Sequence, residues 1–216
     1  MSSCGPPRAQ RRDARRNRER LTAAAREVFA ARGLDAPLEE IARRAGVSVG
    51  TLYNHFATRE TLIDEIVPEL IDAQLALGEE ALARPDPWEG FVWYVTRLCA
   101  SQAADRGLTD ALSMRFSDTE RLAAACAQGT DQVARIVARA RDGGGLRPDF
   151  TAADLVSIIW STGRLVEATG AIAPGAWRRS LAFVLDGLRA EAAHPIAEPA
   201  LTSEQLDTAM RGLAAR

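Results

Sequence analysis

Pro37-Leu-Glu-Glu-Ile-Ala-Arg-Arg-Ala-Gly-Val-Ser-Val-Gly-Thr-Leu-Tyr-Asn-His-Phe56 decides how this 216-residue chain is read. Pro37 suits the first turn of a helix, where its missing N–H has no partner in any case. Glu39 and Glu40 place negative charge where a helix N-terminus favours it. Gly46 stops that helix where the chain needs a positive φ or little bulk. Ser48 supplies an N-cap for a second helix that runs to about Phe56. Ile41, Ala45, Val47, Leu52 and Phe56 provide apolar contacts between the two helices, and Ala42 and Ala45 are small where they cross. The stretch reads as two short helices joined by a tight turn.

Upstream, Leu21, Ala25, Val28 and Phe29 share one face at helical spacing, and Arg32-Gly33 closes that helix. Its start is placed near Asp13, after a Gly/Pro/Arg-rich segment, residues 1–12, read as a disordered basic arm. Downstream, Thr58 caps a longer helix from Arg59 that carries Leu62, Ile63, Ile66, Val67, Leu70 and Ile71, with a kink or break expected at Pro68. Further helices are expected over Trp88–Ala104, near Leu108–Arg115, from Ser117 to Arg141, from Thr151 to Thr169 and from Pro174 to Ala192. Gly143-Gly144-Gly145 ends one of them, and a Thr151/Asp154 capping box opens another. A Pro-containing linker, His194 to Leu201, precedes a small terminal helix over Ser203–Leu213. No segment alternates with period two, so the fold class is all-α. The division is an arm (1–12), a helix-turn-helix domain (13–62), a larger helical bundle (63–192) and a tail (193–216).

Charge supports a two-part molecule. All 27 basic residues are Arg. Residues 1–60 hold 12 Arg against 7 acids, and the rest 15 Arg against 22 acids. A basic end on an acidic body points to one end meeting a polyanion. Cys4, Cys99 and Cys126 form no metal-ligand or disulfide pattern, so no metal, cofactor or disulfide framework is expected. The sequence shows no secretory h-region and no 18-residue apolar run, so a cytoplasmic location without membrane contact is expected.

Ile-Ala-x-x-Ala-Gly-Val-Ser-x-Gly-Thr-Leu-Tyr-x-His-Phe, followed by Thr-Arg-Glu-x-Leu, resembles the TetR family of bacterial transcriptional regulators. The preceding Ala-Arg-Glu-Val-Phe-Ala-Ala-Arg-Gly fits as well, and the resemblance covers roughly residues 15 to 67. It implies a repressor that binds double-stranded operator DNA as a homodimer and is released by a small-molecule effector. On the residues themselves, Ser48, Val49, Gly50 and Thr51 form the leading turn of the second helix. There base edges would be met, and Val49 and Thr51 suit thymine methyls. Gly50 allows close backbone approach. Tyr53 and His55 resemble the family's phosphate-contacting pair, Asn54 lies beside them, and Arg59 resembles its basic phosphate contact. Relatives often carry Ser or Thr where this chain has Pro37-Leu38, so that contact is missing here. Arg11, Arg12, Arg15, Arg16 and Arg18 offer compensation along the DNA backbone or in a minor groove.

The resemblance also implies an effector pocket and a dimer interface in the body. Trp88, Phe91 and Val95 share a helix face, and with Met114, Phe116 and Trp160 they are the candidate pocket. Val156, Ile159 and Gly163 on one late helix, and Leu181, Val184 and Leu188 on the next, are the candidate interface, with Gly163 permitting close helix approach. An aromatic stripe at helical spacing is also what an ordinary core looks like.

Other function classes find little support. His55 and His194 are the only histidines. The sequence has no phosphate-binding glycine loop, nucleophile elbow or HExxH, so an enzyme is not expected. A non-allosteric helical DNA-binding or partner-binding protein without a pocket stays open. A packed body with no cavity supports it, whereas an enclosed cavity of several hundred Å3 supports a ligand-responsive regulator.

Overall fold

The structure, a computed structural model, describes residues 8–113 and 120–214. Its elements are α1 (Arg8–Arg32), α2 (Leu38–Ala45), α3 (Val49–His55), α4 (Arg59–Leu82), α5 (Pro87–Ala104), α6 (Arg106–Ser113), α7 (Glu120–Asp142), α8 (Ala152–Thr169), α9 (Ala176–Gly187) and α10 (Ser203–Ala214), with a 3-10 turn at Ala190–Ala192. Among the described residues the sheet-like pairing is an isolated bridge, Leu146 with Arg189. It ties the α7–α8 connection to the end of α9 through Arg147 N–H donating to the Leu188 carbonyl at 2.9 Å.

Two cores divide the chain. The first gathers Leu21, Val28 and Phe29 of α1, Ile41 of α2, Leu52 and Phe56 around α3, and Leu62, Ile66 and Val67 of α4. The second gathers Phe91, Val95 and Leu98 of α5, Ile136 and Val137 of α7, Leu155 and Ile159 of α8, and Trp177 and Leu181 of α9. Helix α4 passes from one core to the other. Its Gly78 lets α7 approach closely, since a Cβ there would overlap the Gln132 side chain. Gln132 is buried and donates to the Leu75 carbonyl and to Glu79 Oε1, at 2.9 and 2.8 Å.

The helix ends follow local chemistry. Ser48 and Asp86 accept hydrogen bonds from the backbone N–H three residues on, Thr58 shares a capping box with Thr61, and Thr151 and Asp154 form the second box. Gly46 sits at φ +65° and Gly144 at +74°, left-handed backbone that glycine adopts without a Cβ penalty. Pro37 caps α2 with no side-chain bond, as its lack of a hydroxyl requires.

The structure departs from the sequence reading at three places. Helix α1 begins at Arg8, so residues 8–12 of the expected arm are helical. Arg, Ala and Gln propagate a helix well, and proline at position 7 is the nearest breaker. Helix α4 runs unbroken through Pro68, which overturns the break but not the kink that was the other expectation. Proline removes one backbone bond at a cost of roughly 3 kcal/mol. Buried Ile66, Val67, Pro68 and Ile71 around it hold both halves against their neighbours. Helix α9 stops at Gly187, and the expected run to Ala192 finishes as the separate 3-10 turn.

Candidate DNA-binding interface

Helix α3 is held at its base and open at its leading end. Leu52 and Phe56 are fully buried in the first core. Arg18 of α1 locks the trailing end. Its guanidinium donates to the His55 carbonyl at 3.2 Å and to Glu65 at 2.8 Å, and lies 4.4 Å over the Phe56 ring. Arg20 reaches the Gly46 carbonyl at 3.4 Å, and Arg44 pairs with Glu27 at 2.5 Å. These bonds fix α2 and α3 on α1 while leaving the outer surface of α3 uncovered.

The predicted contact residues fall on that surface, with two qualifications. Ser48, Gly50 and Asn54 are exposed, Thr51 and His55 are half-exposed, and Tyr53 shows 47% of its surface. The Ser48 hydroxyl accepts from Thr51 N–H at 3.1 Å and lies 2.9 Å from the Thr51 hydroxyl, so the two side chains act as a pair. A Cβ on Gly50 would meet nothing nearer than the Ser48 hydroxyl at 3.9 Å, so nothing inside the chain demands glycine there. Val49 is partly buried against the first core, which turns some of its surface away from any groove. Arg59 donates to the carbonyls of Leu34 and Ala36 at 2.6 and 2.7 Å. In the unbound protein its guanidinium therefore anchors the α1–α2 loop.

Of the basic residues near the N-terminus, Arg12 and Arg16 are exposed and Arg15 pairs with Glu19 at 2.9 Å. Arg18 is committed to the α3 lock. The side chain of Arg11 lies outside the described residues. Arg43 on α2, exposed beside this face, was not singled out by the sequence because the chain carries arginine everywhere.

The body corrects the expected pocket. Trp88, Phe91 and Val95 are buried core: Trp88 stacks on Phe91 with ring centroids 5.8 Å apart, and Phe91 meets Phe150 edge-on at 5.7 Å. None of the three lines either cleft of the body. Met114 and Phe116 lie outside the described residues. Trp160 does line a cleft. One cleft, about 260 Å3, opens between α4, α5, α7, α8 and α10 and is walled by Ile71, Leu75, Tyr94, Leu98, Leu155 and Met210. Burial pushes the Tyr94 hydroxyl up to about 12. The other, about 550 Å3, lies between the α1–α2 loop, α6, α8 and α10 and includes Trp160 and Gln102. Buried Gln74 and Gln102, one on each cleft, were missed. Gln102 breaks the apolar 88, 91, 95, 98 spacing on α5, a signal that was there to be read.

The candidate dimer residues are partly committed to the protomer's own packing. Ile159 and Leu181 are buried in the second core, Val184 and Leu188 pack against it, and Val156 lines the smaller cleft. Gly163 permits close approach, but to its own α6: a Cβ there would come 2.8 Å from Thr109 Cγ2. The outward apolar residues of the α8–α9 hairpin are Ile172, 85% exposed, and Phe183, 64% exposed.

Among the described residues, no cluster of His, Cys, Asp and Glu could hold a metal, and no helix is long and apolar enough to cross a membrane.

Comparison with known proteins agrees with this arrangement. Residues 21–66 match the family model described as bacterial regulatory proteins, tetR family, and residues 86–190 match that of the transcriptional regulator SbtR-like C-terminal domain. The chain is 32% identical to a TetR transcription regulatory protein from Mycobacterium vanbaalenii, over 83% of this chain and 99% of that one, with a TM-score of 0.51. It is 30% identical to a TetR transcriptional regulator from Streptomyces coelicolor, over 80% of this chain and 98% of the other, with a TM-score of 0.52. It is 38% identical over 93 residues to the HTH-type transcriptional regulator UidR of Escherichia coli K12, covering 41% of this chain and 44% of UidR. The match thus spans less than half the length of the curated relatives. These relatives are regulators of transcription, not enzymes. An exposed recognition helix on a basic three-helix head, a separate helical body and identity of about a third across nearly a whole solved relative lead to one conclusion: the chain belongs to the TetR family of DNA-binding transcriptional regulators.

Proposed function

We propose that this regulator is a homodimeric repressor that binds a palindromic operator through α3 and is released by a small molecule bound in its body. The observation that carries the reading is the leading end of α3. Ser48, Gly50, Tyr53 and Asn54 are exposed there, and no neighbouring element spends them on packing. Thr51 and the adjoining turn address bases. Tyr53, His55, Asn54 and the exposed Arg43 address phosphates, which position the protein without specifying sequence. Arg59 joins them only if it exchanges a loop carbonyl for a phosphate, which its further N–H donors permit. Open space at Gly50 suits close approach of a DNA backbone.

A single helix-turn-helix buries too little for tight, specific binding, and a two-fold pair reads two half-sites about one duplex turn apart. The α8–α9 hairpin supports such a pair, because it exposes two large apolar side chains, Ile172 and Phe183, the latter with Arg179 stacked 5.0 Å over its ring.

The 260 Å3 cleft supports the ligand-responsive reading over the non-allosteric one. Its walls are mainly aliphatic, and Gln74 Oε1 is buried there without a partner. It suits a small apolar molecule that carries one hydrogen-bond donor. Such a ligand releases DNA only by binding more tightly to the form whose recognition helices no longer fit successive grooves. Helix α4, which runs from Arg59 at the head to this cleft, is the natural transmitter. The test is a gel shift with DNA from the promoter region of its own gene, followed by release of that complex with a panel of small apolar compounds. A protein that binds that DNA no better than unrelated DNA refutes the reading.

A further inference from the structure

The larger cleft lies elsewhere, at the seam between head and body. The α1–α2 loop forms one wall with Arg32, Gly33 and Asp35, α6 and α8 form two more, and α10 closes the side with Ala209 and Leu213. Its volume of about 550 Å3 falls in the range of small-molecule sites. Residues of the smaller cleft and of this one do not overlap. Leu206 and Met210 of α10 face the first, and Ala209 and Leu213, three residues further along the helix in each case, face the second. The family match to the C-terminal domain ends at residue 190, so the α10 wall is a feature of this chain beyond that match.

Two polar atoms make this cleft more than a packing gap. Gln102 is completely buried. Its Nε2 donates to the Ile159 carbonyl at 3.4 Å, and its Oε1 has no partner. The indole N–H of Trp160, also buried, has no acceptor. A buried polar atom left unsatisfied is costly, so a molecule that satisfies one is favoured. Gln102 Oε1 needs a donor and Trp160 Nε1 needs an acceptor. A hydroxyl carries one of each. A carboxylate supplies no donor for Gln102 Oε1, and the charged side chains on the cleft, Arg32, Arg106 and Arg164 against Asp35, Asp110 and Glu167, balance one another. The remaining floor, from Gly163, Val166, Ala209 and Leu213, takes an apolar body.

We propose that this seam is a second effector site, for a small uncharged molecule with an apolar body and a hydroxyl group. The site adjoins the bond by which the body grips the head. Asp110 of α6 accepts from the Leu34 amide at 2.8 Å, and Gly33 beside it, at φ +90°, has no room for a Cβ against the Asp110 carboxylate. The same loop leads directly into α2. A ligand wedged against Gly33 and Asp35 therefore acts on the orientation of the head without passing through the smaller cleft. Its effect on DNA rests on the reading of the chain as a ligand-responsive operator binder; its binding does not.

The test uses the full-length 15N-labelled protein with benzyl alcohol, toluene and benzoate as probes, following the indole N–H resonance of Trp160 identified with Trp160→Phe. Benzyl alcohol is expected to shift that resonance and to bind about tenfold more tightly than toluene or benzoate, the value of one satisfied buried hydrogen bond. Gln102→Leu is expected to keep toluene binding and lose the preference for benzyl alcohol. Ala209→Trp, which fills the cleft from α10 without touching either core, is expected to abolish the shift. No shift with any probe, an unchanged preference in Gln102→Leu, or a shift that survives Ala209→Trp overturns the site. Gel shifts run in parallel separate the two readings. Benzyl alcohol that binds at Trp160 yet leaves affinity for a bound operator unchanged overturns the regulatory role. Failure to bind any operator counts against the proposed function alone.

Discussion

Asp110 on α6 accepts a hydrogen bond from the backbone amide of Leu34, 2.8 Å away, across 76 residues of sequence. With Arg59 holding the Leu34 and Ala36 carbonyls from the other side, the loop before α2 is pinned between body and head. The orientation of the recognition helix is thus set by three hydrogen bonds from two side chains as well as by the apolar core beneath it.

Asp110→Leu leaves the Leu34 amide buried without an acceptor. We expect a loss of about 1–3 kcal/mol in urea unfolding, the cost of an unsatisfied buried donor. Head and body are also expected to unfold less cooperatively, read as separated transitions by far-UV circular dichroism and tryptophan fluorescence.

Burial pushes the Asp110 carboxyl above its ordinary value of 3.8, opposed by the Leu34 amide and Arg106 and reinforced by Asp35 and Glu167. A folded pKa above the unfolded one means that the native state binds the extra proton. The stability it contributes is complete below 3.8 and is lost as pH rises through the folded value. An NMR titration of the Asp110 carboxyl carbon should give a midpoint above 3.8. Asp110→Asn should remove the matching downward slope of stability with pH.

Arg59→Ala should weaken DNA binding and also stability, because it frees two loop carbonyls. We expect about 1.5–3 kcal/mol in urea unfolding, the range for hydrogen bonds to a charged group. A variant with full stability and reduced affinity would leave Arg59 a phosphate contact only.

The sequence exposed whatever depends on near neighbours in the chain. Ser48, Thr58 and the Thr151/Asp154 pair cap helices within three residues, and Gly46 turns the chain by its own backbone, so the motif was legible. The inward or outward face of a body helix depends instead on residues far away. Gly163 looked like a surface notch for a partner, and its neighbour is Thr109 of the same chain. Trp88 and Phe91 looked like pocket walls, and they stack on each other in the core. Spacing alone does not tell a stripe that faces a cavity from one that faces a packed neighbour. At Pro68 local cost argued for a kink or a break, and burial on both sides carries the helix through unbroken.

Cys99 is buried with its thiol 3.6 Å from the Thr162 hydroxyl, and burial pushes its pKa up. With Cys4 and Cys126 replaced by serine, the folded protein should react with a thiol-specific disulfide reagent about tenfold or more slowly than unfolded protein, because the thiolate is the reacting species. Equal rates would place Cys99 at the surface.

Phe183→Glu replaces the large exposed apolar side chain of α9 with a charge. If that face joins two protomers, dimer dissociation should rise by about thirtyfold or more, the effect of losing one interface hot spot. Light scattering across a dilution series measures it. An unchanged dimer would move the interface elsewhere.

The most direct measurement is DNase footprinting on the promoter region of its own gene with the parent protein and Tyr53→Ala. The account predicts a protected inverted repeat whose half-sites lie one helical turn or a multiple apart, and loss of that protection in the variant at equal concentration. Equal protection by both proteins, or none by either, would contradict it.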